Sequence, residues 1–488
     1  MPIVANKGVD DLQNTTIKKS LFLNGSWQEA NEYYELTSPY SEELLGYIPL
    51  ASENEVKQAI MAADDAASQI KKLTALERAN ILEKVSSLFE KHAEEAAFIL
   101  AKECAKPLKA ARGEVGRTIE TYKFAAEEAK RIHGETIPMD AAKSGRGRFG
   151  YTVREPVGVV AAITPFNFPF NLVAHKLGPA IAAGNPVVLK PAKQTPLSAL
   201  FTADLFQQAG LPDGALNVVT GKGSEIGDLL VKHDKVKYIT FTGSYEVGLS
   251  IREKAKLKKV TLELGSNSAV IIDSTENLVA AAKRCVEGAF AYSGQVCISV
   301  QRIYVQEALY EDFIESFVNE TKQLVLGDPL SEETDLSSLI HPNETVRIEE
   351  WLEEAVQSGA SIVEGGKRSG NMFMPTVFTE TDQNSLVNCK EAFAPIVTIT
   401  KYKELDEAIS LVNDSEYGLQ AGIYTESVNK AFEVAEKFEV GGVMVNDVPT
   451  FRVDQMPYGG VKNSGTGREG IKYSIEEMTE MKLITFKL

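Results

Sequence analysis

Short apolar runs alternate with amphipathic stretches along most of the chain, and this pattern predicts its elements. Near the start, a strand is expected at Ser20–Leu23, and two helices begin at the capping sequences 52–55 and 74–77. In each capping sequence, a Ser or Thr and the Glu three residues later satisfy free backbone N–H groups. The second helix has a buried face marked by apolar residues at helical spacing: Ile81, Val85, Leu88 and Phe89.

From residue 157 the apolar runs have strand length, and helical segments separate them. The first series comprises Val157–Ile163, Pro186–Leu189, Leu216–Val219, Val236–Phe241 and Ala269–Ile272. The second series follows residue 297 and comprises Arg302–Val305, Ile396–Tyr402, Ala421–Tyr424 and Gly442–Val445. Such alternation is typical of parallel sheets covered by helices. We therefore predict an α/β protein with two Rossmann-like parallel-sheet domains.

Two segments fit neither series. Arg131–Arg154 has few helix signals, and Met481–Lys487 has strand character with no later segment to pair with. An unpaired apolar edge can be covered by another chain. We therefore predict a small inter-subunit β-sheet in a homodimer or homotetramer.

Composition narrows the classes of partner. The net charge of −17 disfavours nucleic acid, whose binding needs clustered cations. The four cysteines are far apart and form no Cys-x-x-Cys pair, so no metal site or disulfide framework is expected. No run reaches the 18 or more apolar residues of a membrane span. We expect a cytoplasmic protein without a membrane partner.

Cys297 is the residue whose sequence context most suggests chemistry. It ends Gly-Gln-Val-Cys at 294–297, and Glu263 stands upstream in Thr-Leu-Glu-Leu-Gly at 261–265. A thiolate attacks carbonyl carbons and a carboxylate can activate water, so the pair indicates covalent catalysis. The alternative is a structural cysteine, because free thiols are among the most buried side chains.

Three loops after predicted strands are candidate ligand sites. Asn167, flanked by aromatic residues and prolines, is either an amide donor to an oxyanion or a turn cap. Lys190 and Lys193 follow a strand, where α/β folds bind ligands, although solvated lysines fit equally well. The Thr-Gly-Ser turn at 242–244 precedes a helix and suits a pyrophosphate, although glycine also simply ends elements.

Seven short motifs follow one another along the chain. They are Pro-Phe-Asn-Phe-Pro (165–169), Leu-Lys-Pro-Ala (189–192), Phe-Thr-Gly-Ser (241–244), Leu-Glu-Leu-Gly (262–265), Gly-Gln-Val-Cys (294–297), Glu-Ala-Phe-Ala-Pro (391–395) and Pro-Tyr-Gly-Gly-Val-Lys-Asn-Ser-Gly (457–465). Together they resemble the NAD(P)-dependent aldehyde dehydrogenase family over essentially the full chain. The segment 446–458 is similar to the branch that includes lactaldehyde and non-phosphorylating glyceraldehyde-3-phosphate dehydrogenases.

The resemblance implies a covalent mechanism. Cys297 would attack the aldehyde, and the Asn167 side-chain amide with the Cys297 backbone N–H would hold the thiohemiacetal oxyanion. Hydride would pass to the nicotinamide, and Glu263 would activate the water that hydrolyses the thioester. Glu263 also disfavours transfer to coenzyme A. A more distant alternative is a cysteine hydrolase that needs no nicotinamide.

The resemblance also implies which residues bind NAD or NADP. Lys190 and Glu391 would hold the two riboses, Ser244 the pyrophosphate and Phe393 the nicotinamide. The full implied set is Thr164, Pro165, Phe166, Lys190, Ala192, Lys193, Gly223, Gly227, Phe241, Thr242, Gly243, Ser244, Leu264, Gly265, Glu391 and Phe393.

Three positions depart from the usual family pattern. Ser266 and Ala394 replace glycines, which are small changes. Lys193 stands where NAD-preferring members often carry a glutamate that binds the adenosine ribose. A lysine there removes a repulsive carboxylate and adds a cation, so we expect NADP to be accepted at least as well as NAD.

The implied substrate is a small polar or anionic aldehyde of the lactaldehyde kind, with glyceraldehyde-3-phosphate, sulfolactaldehyde and succinate semialdehyde as alternatives. Arg452 is a candidate partner for a substrate carboxylate, phosphate or sulfonate. Equally, it can pair with Asp447 or Asp454 inside the protein. The other candidates for substrate contact are Arg117, His175 and Ile298.

From these motifs we expect four parts along the chain. They are a dinucleotide-binding domain (1–130 and 151–263), a catalytic domain (264–450), a return segment at the active-site cleft (451–470) and an oligomerisation arm (131–150 and 471–488).

Overall fold

The computed structural model describes residues 18–488. Both predicted capping sequences form capping boxes at the starts of the first two helices. The helices are α1 Glu53–Lys72, α2 Ala75–Lys91, α3 Ala93–Cys104, α4 Leu108–Ala129, α5 Asn171–Ala183, α6 Pro196–Ala209, α7 Gly223–Lys232, α8 Tyr245–Lys254, α9 Leu278–Phe290, α10 Tyr310–Thr321, α11 Pro342–Gln357, α12 Leu386–Cys389, α13 Leu405–Asn413, α14 Val428–Lys437 and α15 Ile471–Glu477. No helix of this described part is long and apolar enough to cross a membrane.

The strands build two large sheets and several small ones. They are β1 Leu21–Leu23, β2 Ser26–Gln28, β3 Glu32–Thr37, β4 Leu44–Leu50, β5 Thr136–Ile137, β6 Arg148–Pro156, β7 Val159–Ile163, β8 Val187–Lys190, β9 Leu216–Val218, β10 Val236–Thr242, β11 Lys259–Glu263, β12 Ala269–Ile272, β13 Arg302–Gln306, β14 Ser361–Glu364, β15 Arg368–Ser369, β16 Met372–Phe373, β17 Thr376–Thr379, β18 Ile396–Tyr402, β19 Tyr417–Gly418, β20 Gln420–Tyr424, β21 Gly442–Val445, β22 Val461–Lys462, β23 Gly465–Thr466 and β24 Thr479–Lys487.

The first large sheet has the order β2-β1-β9-β8-β7-β10-β11-β23, and strands β9 to β11 in this order run parallel. Strand β7 is buried on both faces. Val160 and Ala162 face a core built with α2 to α6, whereas Val159 and Ala161 face a core shared with α1, α7 and α8. Helices therefore cover both faces, as predicted for a Rossmann-like sheet.

The second large sheet has the order β14-β17-β18-β13-β12-β20-β21 and is parallel except for the pair β14 and β17. The sequence places Ala269–Ile272 in the first series, but this segment is β12 at the centre of the second sheet. Lys259–Glu263, which that series omits, is the last parallel strand of the first sheet. Both runs are buried, and burial alone does not indicate which sheet a strand joins.

A small third sheet has the order β24-β6-β5. The expectation that the last strand lacks a partner is wrong, because β24 pairs antiparallel with β6 from Thr479↔Pro156 to Lys487↔Arg148. Strand β24 is an edge of this sheet, and its side chains include the exposed Met481, Leu483 and Phe486. Pairing between subunits at this edge stays a prediction.

We expect Leu483→Asp to weaken self-association of the chain. A second strand docked at this edge would have to bury the new charge, which is unfavourable. Analytical ultracentrifugation at micromolar concentration should show the wild type as a dimer or larger species and the variant shifted toward monomer. Val346→Asp, an exposed apolar position on α11, is the matched control and should not change assembly. A monomeric wild type would contradict the predicted arm.

Candidate active site

A cavity of about 1040 Å³ opens at the carboxyl ends of β7, β8, β10 and β11. Parallel sheets bind ligands at these ends, because the following loops converge there. The three predicted catalytic residues, Cys297, Glu263 and Asn167, line the cavity. All sixteen residues predicted for cofactor contact line it as well. The four substrate candidates are not among its lining residues.

Cys297 follows a tight turn between α9 and β13. Tyr292 and Ser293 have φ angles of 48° and 54°, and Gly294 has φ 71°. A Cβ at Gly294 would overlap the Ala394 carbonyl, so this position of the motif requires glycine. The turn therefore fixes the backbone just before the thiol.

Burial raises the pKa of the Cys297 thiol to about 11, although Tyr458 and Arg452 act to lower it. The sulfur lies 3.1 Å from the Tyr458 hydroxyl oxygen. A thiol with so high a pKa is almost fully protonated at neutral pH, whereas the thiolate is the nucleophile. The groups that stabilise the thiolate therefore control how much reactive sulfur is present at neutral pH.

Glu263 is the last residue of β11 and lies beside Thr242 of β10. Its side chain is buried, and neither carboxylate oxygen has a hydrogen-bond partner within residues 18–488. Burial and the nearby Glu469 raise its pKa well above the ordinary value. A Cβ at Gly459 would come within 2.9 Å of Glu263 Oε1, so glycine leaves the carboxylate its space.

Asn167 lies in the loop after β7, and its Nδ2 donates to the Gln295 carbonyl over 2.9 Å. This contact ties the loop to the turn that carries Cys297. An amide nitrogen has two N–H groups, so a second donor remains available. The Asn167 Oδ1 is buried without a partner in the described part of the chain.

A buried ion pair forms hydrogen bonds with the backbone of the Asn167 loop. Lys106 pairs with Glu114, and its Nζ also donates to the Asn167 carbonyl over 2.6 Å. Glu114 Oε1 accepts the backbone N–H groups of Phe170 and Asn171. Both charged side chains are almost completely buried. No sequence signal marks this pair, because a Lys and a Glu eight positions apart are usually solvated.

Two lysines line the cavity at the carboxyl end of β8. Burial lowers the pKa of Lys190 to about 8, and its Nζ donates to the Pro191 carbonyl over 3.0 Å. Lys193 Nζ lies 4.7 Å from the centroid of the Tyr34 ring, and the Tyr34 hydroxyl donates to the Lys193 carbonyl over 2.6 Å. Tyr34 therefore holds both the backbone and the cation of Lys193 at the cavity.

The backbone around the cavity fits a dinucleotide. Gly243 and Ser244 lead into the start of α8, where backbone N–H groups and the helix dipole favour an anion. A Cβ at Gly265 would overlap the Glu391 carboxylate. Glu391 accepts the Ser266 N–H over 3.0 Å, and burial raises its pKa to about 7.

Phe166 and Phe393 stand edge to face in the cavity wall, with ring centroids 5.8 Å apart. Within residues 18–488, no group of three or more His, Cys, Asp or Glu side chains is placed to hold a metal ion.

Arg452 is nearly buried, with 6% of its side chain exposed. It pairs with neither Asp447 nor Asp454, which corrects that expectation. Instead its Nη2 lies 3.3 Å from Glu469 Oε2, and its guanidinium lies 3.6 Å from the centroid of the Tyr458 ring. The Nε of Arg452 is buried without a partner in the described chain.

The two aspartates have other cations. Asp447 pairs with Arg284 over 2.8 Å. Asp454 accepts from Arg117 over 2.7 Å and lies 2.8 Å from His175 Nε2. Burial acts to raise the pKa of Asp454, but the His175 contact and the Arg117 charge lower it well below its ordinary range. Asp454 is therefore ionised and links two of the substrate candidates.

His175 is fully buried, and burial followed by the Arg452 charge lowers its pKa. Its Nε2 lies between Asp454 and the Arg452 Nη2, which is 3.3 Å away. Ile298 is 5% exposed and packs into the core of the first sheet. The structure thus joins Arg117, His175 and Arg452 in one charged cluster, and it leaves Ile298 beside Cys297 as an apolar contact.

Glu469 and Lys176 complete this cluster and are absent from the sequence-based site. Lys176 Nζ lies 3.0 Å from Glu469 Oε1 and also donates to the hydroxyls of Thr240 and Thr242. Although burial opposes it, Lys176 and other cations lower the pKa of Glu469 to about 2. Glu469 has no sequence signal, and the signal for Lys176 is a lysine on a mostly apolar helix, α5.

The fold, the thiol and the glycine-lined cavity are those expected of a dinucleotide-binding α/β enzyme. The model of the aldehyde dehydrogenase family matches residues 27–484, so the chain belongs to that family. This confirms the resemblance drawn from the seven motifs and, with it, the class of enzyme. A cysteine hydrolase that needs no nicotinamide finds no support.

Three relatives represent the branch. The 3-sulfolactaldehyde dehydrogenase of Priestia aryabhattai is 48% identical, covering 97% of this chain and 99% of its own. The lactaldehyde dehydrogenase of Methanococcus aeolicus is 42% identical, and the match covers 95% of this chain and 99% of that protein. A crystal structure of an NADP-dependent glyceraldehyde-3-phosphate dehydrogenase from Bacillus halodurans, complexed with NADP, superposes with a TM-score of 0.94. The two sequences are 38% identical, and the match covers 97% of this chain and 100% of that chain.

Proposed function

We propose that the protein oxidises an anionic three-carbon aldehyde to its acid with NADP, and that 3-sulfolactaldehyde is its first candidate substrate. The observation that carries the proposal is the buried Arg452, whose Nε has no partner in the described chain. Arg452 does not itself line the cavity, but its guanidinium packs on the ring of Tyr458, whose hydroxyl contacts the Cys297 sulfur. Two relatives support an anionic group in the substrate, since their names give a sulfonated and a phosphorylated aldehyde.

The charges of the cluster favour an anion. Arg117, Lys176 and Arg452 are cations, whereas only Asp454 and Glu469 are carboxylates with lowered pKa values. These five groups therefore carry one positive charge in excess, and all of them except the partly exposed Arg117 are shielded from water. A buried charge of this kind binds a counter-ion strongly, because the low-dielectric surroundings screen it little.

The cofactor proposal rests on the form of the cavity. Lys190, Glu391 and Ser244 line the cavity; the two former would contact the riboses, and Ser244 with the start of α8 would contact the pyrophosphate. The Lys193 cation suits a 2′-phosphate. The bound nicotinamide supplies the hydride acceptor.

The chain's own residues then perform the remaining chemistry. Cys297 attacks the aldehyde carbon, and the free N–H of the Asn167 amide donates to the oxyanion that forms. After oxidation, Glu263 accepts a proton from the water that attacks the thioester. Among residues 18–488 its carboxylate has no hydrogen-bond partner, so it has acceptor capacity for that water.

We expect Glu263→Gln to stop the enzyme after acylation, because the amide cannot accept a proton. Stopped-flow absorbance should retain a burst of reduced nicotinamide near one per site, while steady-state kcat falls by roughly 10²-fold or more. In the wild type, kcat should rise with pH, because only the ionised form is a base. The raised pKa of Glu263 places this rise above the ordinary carboxylate range. Loss of the burst together with the steady-state rate would contradict the assignment.

Lys193→Glu should shift cofactor preference from NADP toward NAD. The change replaces a cation by an anion, and a charge-assisted hydrogen bond contributes about 1.5–3 kcal/mol. The kcat/KM for NADP divided by the kcat/KM for NAD should therefore fall by roughly tenfold or more. Lys237→Glu, with the same change of charge at the exposed second position of β10, is the control. Strict NAD preference in the wild type would overturn the proposal for Lys193.

The substrate proposal is tested with 3-sulfolactaldehyde, glyceraldehyde-3-phosphate, succinate semialdehyde and neutral lactaldehyde, each with both cofactors. In Arg452→Met, kcat/KM for the anionic aldehydes should fall by about 10- to 100-fold, since one charge-assisted contact is lost. Lactaldehyde, which carries no anionic group, should lose less, and only through the broken Glu469 pair and the weaker stabilisation of the thiolate. Arg284→Met, which removes a cation paired with Asp447 elsewhere, is the control. An equal loss for neutral and anionic aldehydes would assign Arg452 a structural role.

A further inference from the structure

A phenol group lies directly against the sulfur of Cys297. The 3.1 Å contact with the Tyr458 hydroxyl is the hydrogen bond that this sulfur makes within residues 18–488. Tyr458 is 3% exposed and belongs to the return segment, 451–470. Tyr458 is buried and Cys297 is partly exposed at the cavity, so the phenol side of the contact is shielded from water.

Two features hold the Tyr458 ring in place. Its backbone N–H donates to the Glu469 carbonyl over 3.0 Å, and its carbonyl accepts the Glu469 N–H over 2.6 Å. The Arg452 guanidinium covers the ring face at 3.6 Å from its centroid. The hydroxyl therefore stands at the sulfur without an ordering cost at the moment of reaction.

The protonation states decide which atom donates. A protonated thiol can donate to the phenol oxygen or accept from it, whereas a thiolate can only accept. Burial raises the pKa of Tyr458 well above the ordinary value, so the phenol keeps its proton when the thiol ionises. In the thiolate state, Tyr458 is thus the donor and Cys297 the acceptor.

Other charged groups near the sulfur act in opposite directions. The Arg452 cation stabilises the thiolate, whereas Glu391 and Glu263 destabilise it when they are ionised. Burial also destabilises it. Tyr458 is a neutral group that favours the thiolate by direct contact.

We propose that Tyr458 is a further catalytic residue, whose hydroxyl donates a hydrogen bond to the Cys297 thiolate and stabilises the nucleophile before attack. The thiol proton leaves to solvent, and Tyr458 keeps its own. When the sulfur lone pair forms the bond to the aldehyde carbon, the carbonyl electron pair becomes the oxyanion, and the hydrogen bond to sulfur weakens. The inference rests on the proposed role of Cys297 as nucleophile.

The test is the alkylation of Cys297 by iodoacetamide in the enzyme without aldehyde or cofactor. Rates are measured from pH 7 to 10 after a rapid pH jump, and the modified Cys297 peptide is quantified by mass spectrometry. This separates Cys297 from the other three cysteines. The measurement needs no turnover, so loss of dehydrogenase activity in Cys297→Ser tests the proposed function independently.

Tyr458→Phe keeps the ring and removes the donor. A lost hydrogen bond to a charged group should raise the thiol pKa by about one unit, which makes the thiolate about tenfold rarer. The remaining thiolate is about threefold more nucleophilic, because reactivity rises with basicity. Alkylation should therefore be roughly three- to fourfold slower at each pH below the wild-type pKa. Tyr310→Phe removes a buried hydroxyl that bonds the Ile399 carbonyl, and it should match the wild type.

A second variant covers the case in which Tyr458→Phe does not fold. Site-specific replacement of Tyr458 by 3-fluorotyrosine keeps the packing and makes the O–H more acidic and a stronger donor. Alkylation of this variant should be faster than in the wild type at the same pH. Rates equal to the wild type, or a change in the same direction for both variants, would overturn the proposal.

Discussion

The site depends on the ion pairs that the buried carboxylate of Glu469 makes with Lys176 and Arg452. Glu469 accepts from Lys176 on α5 and from Arg452 in the return segment, and its backbone pairs with Tyr458. Breaking a buried ion pair by removing one partner costs about 3–5 kcal/mol, because a charge is left without compensation. These contacts therefore fix a distant stretch of chain against the first sheet. The groups around the thiol take their positions from that attachment.

The same cluster shifts the pKa values of two neighbouring carboxyl groups, Glu469 and Glu263, in opposite directions. Its cations keep Glu469 ionised, with a pKa of about 2, whereas Glu263 has no direct partner in the described chain and its pKa is raised. A fixed negative charge beside a desolvated carboxyl favours the proton on the latter. One carboxylate thus becomes structural and the other becomes a candidate base, although the residue type is the same.

Part of the cavity lining was predictable from the sequence, because the loops that supply it directly follow strands with clear apolar runs. The Gly243 turn and Lys190 are examples, since their positions follow from the ends of β10 and β8. The charged cluster was not predictable in this way. Its members come from α4, α5 and the return segment, and pairing across such distances leaves no local pattern. The partner of β24 was missed for the same reason, because β6 lies more than 300 residues earlier.

An anion bound at Arg452 changes what stabilises the thiolate. In the free protein, the Arg452 cation favours the ionised sulfur, but a sulfonate or phosphate beside the guanidinium would cancel much of that field. A neutral donor in contact with the sulfur keeps its effect when the substrate's charge arrives. In an enzyme that accepts anionic aldehydes, the Tyr458 hydroxyl would therefore contribute most in the complex that reacts, whereas the cation contributes most before substrate binds.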